Sequence, residues 1–243
     1  QLGSQVDIYV LDTGIRVTHQ EFEGRAIHLS NTVGDGINTD CAGHGTLVAS
    51  LAGGRLYGVA KGVNLWAVKV LDCAGNGDSF TIVTGVMAVN EHVAQRRQLG
   101  YRAVASLSLG GDPSSAIDDA MRSLLNNNVT VVVAAGNEMG FACDYSPSRL
   151  AGSTLVMSVG ASSQTDARPG FSNRGSCVSI SAPGVNVPGA DNTNDNALQS
   201  QSGTSMATPL VSGVAALVLD QNTALTVSQV VSLIKTCLLY TSD

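Results

Sequence analysis

The chain has 243 residues, 44% of them apolar and 13% charged, which is enough to bury one sizeable core and excludes a disordered segment. Its formal net charge is -6 and its thirteen lysines and arginines are scattered, which excludes a basic stripe for nucleic acid or anionic lipid. The longest apolar runs, residues 129–135 and 214–219, are far too short to span a bilayer.

Residues 1–5 carry no charged start followed by an apolar stretch, so no signal peptide lies there. Runs of β-type residues over 6–11, 65–70, 103–107, 129–134, 155–159 and 178–181 read as strands. They alternate with helical segments over 45–52, 80–98, 114–127, 205–220 and 227–235. The last of these opens on Thr226 with Gln229 three residues on, a capping box. The stretch 184–201 is polar, rich in Asn and Asp and without periodicity, and reads as a surface loop. Most strands are apolar on both faces, as a parallel sheet covered by helices on both sides requires. The expected fold is therefore α/β, a three-layer α/β/α sandwich on a mainly parallel central sheet. No repeat or linker divides it.

Three local contexts carry chemistry. Asp12 ends the first strand, in Val10-Leu11-Asp12-Thr13-Gly14, where open α/β sheets gather their sites. His44 stands between Gly43 and Gly45 at a helix start, with little side-chain bulk to hinder the approach of other backbone. Ser205 opens an apolar helix in Ser202-Gly203-Thr204-Ser205-Met206-Ala207-Thr208-Pro209, with the helix dipole aimed at it. Singly, an Asp after a strand is often a turn former, a glycine-flanked His a loop residue and Gly-Thr-Ser a cap. Together, in the order Asp, His, Ser, they match one of the three chain orders of Ser-His-Asp hydrolases.

The five cysteines, at 41, 73, 143, 177 and 237, form no CxxC pair and have no His at zinc-ligand spacing, so disulfides are expected and no metal site is. Residues 237–243, CLLYTSD, end a helical pattern abruptly and resemble a translated transposase-type sequencing adapter. They are read as a cloning or assembly scar, which leaves four native cysteines; a natural helix end with one spare thiol is the alternative.

The three contexts, with Tyr57-Gly58-Val59-Ala60, Val68-Lys69-Val70-Leu71-Asp72, residues 106–111, Ala134-Ala135-Gly136-Asn137, Phe171-Ser172-Asn173 and Ala182-Pro183-Gly184, resemble the signature blocks of the subtilisin-like serine proteases. The similarity is nearest to the branch typified by proteinase K and aqualysin and covers nearly all of residues 5–236, read as one catalytic domain. It implies that Ser205 attacks a scissile carbonyl, that His44 takes and returns the proton, and that Asp12 fixes the imidazole tautomer. It also implies that the Asn137 amide and the Ser205 backbone N–H hold the oxyanion. Residues 75–77 (Gly75, Asn76, Gly77) and 108–111 (Ser108, Leu109, Gly110, Gly111) would flank an extended peptide added as a strand. Gly110, Gly111 and Gly136, with Ala134, would leave the main side-chain pocket open and uncharged, favouring apolar or aromatic residues before the cut.

By the same resemblance Cys41 pairs with Cys73 and Cys143 with Cys177, which requires an oxidising compartment and points to secretion. Polypeptide substrates are the implied partners, with an N-terminal pro-segment in the precursor, a monomeric enzyme, and no nucleic acid or membrane. No cofactor is expected for the chemistry. Structural calcium is in doubt, because Ser179 stands where relatives carry a carboxylate that acts with carbonyls near Val156. Asp35 and Asp40 form an alternative acidic loop, read as a solvated turn.

The chain departs from the family pattern in two blocks. His-Gly-Thr-His-Val-Ala-Gly is here His44-Gly45-Thr46-Leu47-Val48-Ala49-Ser50, and Pro-His-Val-Ala-Gly is Pro209-Leu210-Val211-Ser212-Gly213. Both lost histidines become leucine, so Leu47 and Leu210 are expected to meet between two central helices. Relatives also have segments before the first strand and after the last helix, so the domain is read as truncated at both ends.

Rival readings are weaker. An aspartic protease would need a second Asp-Thr-Gly, and an α/β-hydrolase would need Gly-x-Ser-x-Gly, which Gly203-Thr204-Ser205-Met206-Ala207 lacks. The alternative from another class is a catalytically inactive subtilase homologue that acts as a binding module.

Overall fold

A computed structural model describes residues 3–237. In chain order its elements are β1 (Val6–Asp12), β2 (Ala26–Asn31), α1 (His44–Gly53), β3 (Asn64–Lys69), α2 (Ser79–Gln98), β4 (Arg102–Leu107), α3 (Ser115–Asn126), β5 (Thr130–Ala134), β6 (Met157–Ser162), β7 (Ile180–Pro183), β8 (Val187–Ala190), β9 (Leu198–Gln201), α4 (Thr204–Gln221) and α5 (Val227–Cys237). Strands β1 to β7 form one sheet in the order β2-β3-β1-β4-β5-β6-β7, and every neighbouring pair is parallel.

The side-chain alternation of β1 explains the layering. Val6, Ile8 and Val10 face a cluster built with α1, α4 and α5, whereas Tyr9 and Leu11 face a cluster built with α2 and α3. All seven β1 residues are buried, so neither face reads as polar. The result is the three-layer α/β/α sandwich that the double-sided apolar pattern implies. No described helix is long and apolar enough to cross a membrane.

From β1 the sheet extends through β3 to β2 on one side, with the chain reaching the edge first and returning, and through β4 to β7 on the other. The two directions diverge at the carboxyl ends of β1 and β4, the switch point where α/β sheets open a crevice.

Two features depart from the sequence reading. β2 is an unexpected edge strand: only Ala26 is buried, so it lacks the apolar run that marks its neighbours. Residues 184–201 are not a plain loop but contain the antiparallel β8-β9 hairpin. That hairpin is fixed by tertiary contact, since the Ala190 N–H donates to Ser50 Oγ at 2.9 Å and a Cβ on Gly189 would come within 2.6 Å of Leu47 Cδ1.

The same contacts account for the altered blocks. Ser50 holds the hairpin, and Ser212 donates to Ser106 Oγ of β4 at 2.8 Å. Leu47 is fully buried and Leu210 half-buried against the same apolar cluster. The Thr226–Gln229 capping box is present, with the Gln229 N–H donating to Thr226 Oγ1 and the Thr226 N–H to Gln229 Oε1. Residues 238–243 of the tail read as a scar lie outside the described residues.

Disulfides join Cys41 to Cys73 and Cys143 to Cys177 at sequence separations of 32 and 34. Closing loops of that size restricts the unfolded chain. Replacing Cys143 and Cys177 together by alanine, in a Ser205→Ala background that prevents self-cleavage, is expected to lower stability by about 2 to 4 kcal/mol, read from the midpoint of a denaturant titration.

Candidate active site

Asp12 is the last residue of β1 and is completely buried. Its Oδ1 accepts from the Thr13 N–H and from His44 Nδ1, each at 2.7 Å. A carboxylate only accepts, so Nδ1 carries the proton and Nε2 is left as the basic nitrogen.

His44 is the first residue of α1, and the turn that carries it is wedged against the end of β1. A Cβ on Gly45 would fall 2.0 Å from the Gly14 carbonyl oxygen, so only glycine lets the two backbones approach this closely. Burial pushes the imidazole pKa down. The Asp12 charge and hydrogen bond, with Asp40 behind, outweigh that effect and leave it raised above 6.5.

Ser205 lies in the first turn of α4, where backbone N–H groups have no partner within the helix. Pro209, four residues on, lacks the N–H that would bond the Ser205 carbonyl, and Ser108 Oγ donates to that carbonyl instead at 2.8 Å. The Ser205 hydroxyl in turn donates to the Ser108 carbonyl at 3.3 Å. Serine and imidazole therefore share one cleft without a direct bond between them; catalytic hydrogen bonds are commonly long before substrate arrives, and a hydroxyl rotor moves freely.

Asn137 follows β5 by three residues. Its Oδ1 accepts from the Thr204 N–H at 2.9 Å and from Thr204 Oγ1 at 3.1 Å, which fixes the amide so that its NH2 end is free beside Gly203. A side-chain donor and the open amide end of α4 thus converge next to Ser205, an arrangement suited to a developing oxyanion.

The cleft has a volume of about 590 Å³ and gathers His44, Ser205 and Asn137 with Gly75, Asn76, Gly77, Ser108, Leu109, Gly110, Ala134 and Gly136. Asp72 stiffens one wall, its Oδ1 accepting from the N–H groups of Ala74 and Asn76. Gly111 stands apart. Its N–H and carbonyl are both paired with Ser146 at 3.0 Å, so it anchors the 108–110 wall and does not line the cleft.

The expectation of an uncharged pocket needs correction, because Glu138 also lines the cleft. Its Oε2 accepts from Asn173 Nδ2 at 2.6 Å, and the two side chains fill the space that a Cβ on Gly136 would take.

The acidic loop also differs from a solvated turn. Asp40 is buried at 4% exposure, and Asp35 lies 3.7 Å from the buried Lys69 ammonium. Asp35, Cys41 and Cys73 come within metal-ligand reach of one another, but both sulfurs are spent in a disulfide. The calcium position does not fit a hard cation. Ser179 Oγ accepts from the Ser158 N–H at 3.2 Å, and no carboxylate stands there.

A family model described as the subtilase family matches residues 3–242. The chain belongs to the subtilase family. This subtilase is 46% identical over 231 residues to an extracellular serine proteinase of Thermus sp. (strain Rt41A), a match covering 95% of the chain and 54% of that relative. It is 45% identical over 233 residues to alkaline serine exoprotease A of Vibrio alginolyticus, covering 96% and 42% respectively. The chain thus spans about half the length of the curated relatives it matches. A crystal structure of a cold adapted subtilisin-like serine proteinase superposes with a TM-score of 0.88 at 40% identity, over 96% of this subtilase and 82% of that chain.

Sequence reasoning missed four residues of the site: Thr13, Asp40, Glu138 and Thr204. Each sits within four positions of a residue already singled out, but side-chain direction is not written in the order of residues. The glycine wedge is directly testable. Gly45→Ala is expected to destabilise by about 1 to 3 kcal/mol or more, whereas Gly170→Ala, where an added Cβ meets nothing, leaves the thermal midpoint unchanged.

Proposed function

We propose that this chain is the catalytic domain, residues 1–236, of a secreted serine endopeptidase that cuts polypeptides through an acyl-enzyme. The observation that carries the reading is the Asp12-His44 hydrogen bond at 2.7 Å opening onto a cleft that also holds Ser205 and the free Asn137 amide.

In the proposed reaction Ser205 Oγ bonds to the scissile carbonyl carbon while His44 Nε2 takes the hydroxyl proton. Asp12 stabilises the imidazolium, and Asn137 Nδ2 and the Ser205 N–H receive the oxyanion. Collapse breaks the C–N bond, and His44 returns the proton to the leaving amine. Water, deprotonated by the same nitrogen, then attacks the acyl carbon; the bond from that carbon to Ser205 Oγ breaks, His44 returns the proton to Oγ, and the acid product leaves. No cofactor enters these steps.

An extended substrate is read as pairing with the backbone of residues 75–77 and 108–110. Apolar or aromatic side chains before the cut suit walls of glycine, alanine and backbone, with Glu138 as the one carboxylate at their edge. The similarity to the extracellular serine proteinase of Thermus and the two disulfides support secretion. A pro-segment in the precursor and a monomeric enzyme belong to the same reading.

Fluorophosphonate labelling tests the assignment. Wild type is expected to label and Ser205→Ala not, with Asn137→Ala slowing peptide turnover by about 10²- to 10³-fold. A wild type that binds peptide but neither labels nor cleaves would establish the inactive binding module instead. Because only neutral His44 accepts the proton and its pKa is raised by Asp12, the labelling rate should fall in acid, with the limb at higher pH than a free imidazole gives and a plateau on the alkaline side. A peptide-library digest should favour apolar residues before the cut, and Glu138→Gln should weaken residual cleavage after Lys or Arg while sparing apolar sites.

A further inference from the structure

We propose that Asp40, acting through Thr13, is a positioning residue for the His44 base, and that its negative charge is part of the catalytic machinery. This rests on the reading of His44 as general base given above.

The Asp40 carboxylate is buried and receives five donors. Its Oδ1 accepts from Thr13 Oγ1 at 2.8 Å, the Ala42 N–H at 3.0 Å and the Gly43 N–H at 2.8 Å. Its Oδ2 accepts from the Thr46 N–H at 2.8 Å and Thr46 Oγ1 at 2.6 Å. Thr13 Oγ1 also accepts from the Gly45 N–H at 2.9 Å. Ala42, Gly43, Gly45 and Thr46 are thus all tied to Asp40 or Thr13, and His44 is the residue they bracket.

Thr13 is the covalent neighbour of Asp12, so its hydroxyl joins the strand that supplies the carboxylate to the turn that supplies the imidazole. The length of the Asp12-His44 bond is set by this strut as well as by the two side chains it connects. A neutral cap would serve to start a helix. A carboxylate does more, because five donors saturate both oxygens and its charge favours the protonated imidazole formed during the reaction.

The other charges near His44 come from different elements. Asp12 belongs to β1, and Glu138 lies across the cleft. Lys69 of β3 has its Nζ on the Thr13 and Leu71 carbonyls at 3.0 and 2.9 Å and 3.7 Å from Asp35. Asp12 and Asp40 are the two that act to raise the His44 pKa.

Thr13→Val keeps both carboxylates and nearly the same shape while cutting the strut. Its fluorophosphonate labelling rate is expected to fall about tenfold or more with the acid limb unmoved, and Thr13→Ser should restore it. Asp40→Asn removes the charge and should shift the acid limb to lower pH as well as slowing the plateau. Circular dichroism and thermal midpoints show that the compared proteins are folded. If Thr13→Val is folded and labels at the wild-type rate, or if folded Asp40→Asn keeps the wild-type limb, the inference fails. A wild type that does not label would instead overturn the reading of the triad. Should Asp40→Asn not fold, the Thr13 pair decides the matter alone.

Discussion

The site depends on the close contact between the carboxyl end of β1 and the first turn of α1. Two backbones meet there at a distance that admits no Cβ on Gly45, and the meeting brings a buried carboxylate into line with an imidazole. Every other part of the site is referred to that junction. The cleft wall at residues 72–77 is tied to it by the Cys41–Cys73 bond, and Lys69 braces it from β3 by donating to the carbonyls of Thr13 and Leu71.

The second half of the site is organised by α4. This helix runs through the buried layer against β4, β5 and β6 and presents its amino end to the cleft. Two exceptions to regular helix bonding set the local geometry. Pro209 releases the Ser205 carbonyl to Ser108, and Thr204, which begins the helix, holds the Asn137 carbonyl oxygen. The Ser205 carbonyl and the Asn137 side-chain amide are thereby both held at the start of α4.

Residue order carried much of this. The β1, β4 and β5 runs are apolar on both faces, which points to a covered parallel sheet, and the helix read over 80–98 is present as α2. The β2 edge and the hairpin strands were illegible for a physical reason. β2 buries one residue, and β9, Leu-Gln-Ser-Gln, is held by pairing with β8, so neither carries a hydrophobic signature of its own. In the site, Asp12, His44 and Ser205 stood out because their three contexts at element ends follow one chain order, and Asn137 only through the resemblance to the family. Asp40 and Glu138 did not, since an acidic residue in a polar stretch reads as solvated until the fold buries it or turns it into a cleft.

The place of β1 in the middle of the sheet has a consequence for how the molecule is made. Its partners are residues 64–69 and 102–106, so this strand has no neighbour in its sheet until roughly sixty residues later on one edge and nearly a hundred on the other. Until then an apolar run lacks its native strand partners on both edges. Chain closure over such distances is slow, and nascent molecules are open to mispairing during that interval. The central place of β1 in the finished sheet thus goes with late pairing during synthesis.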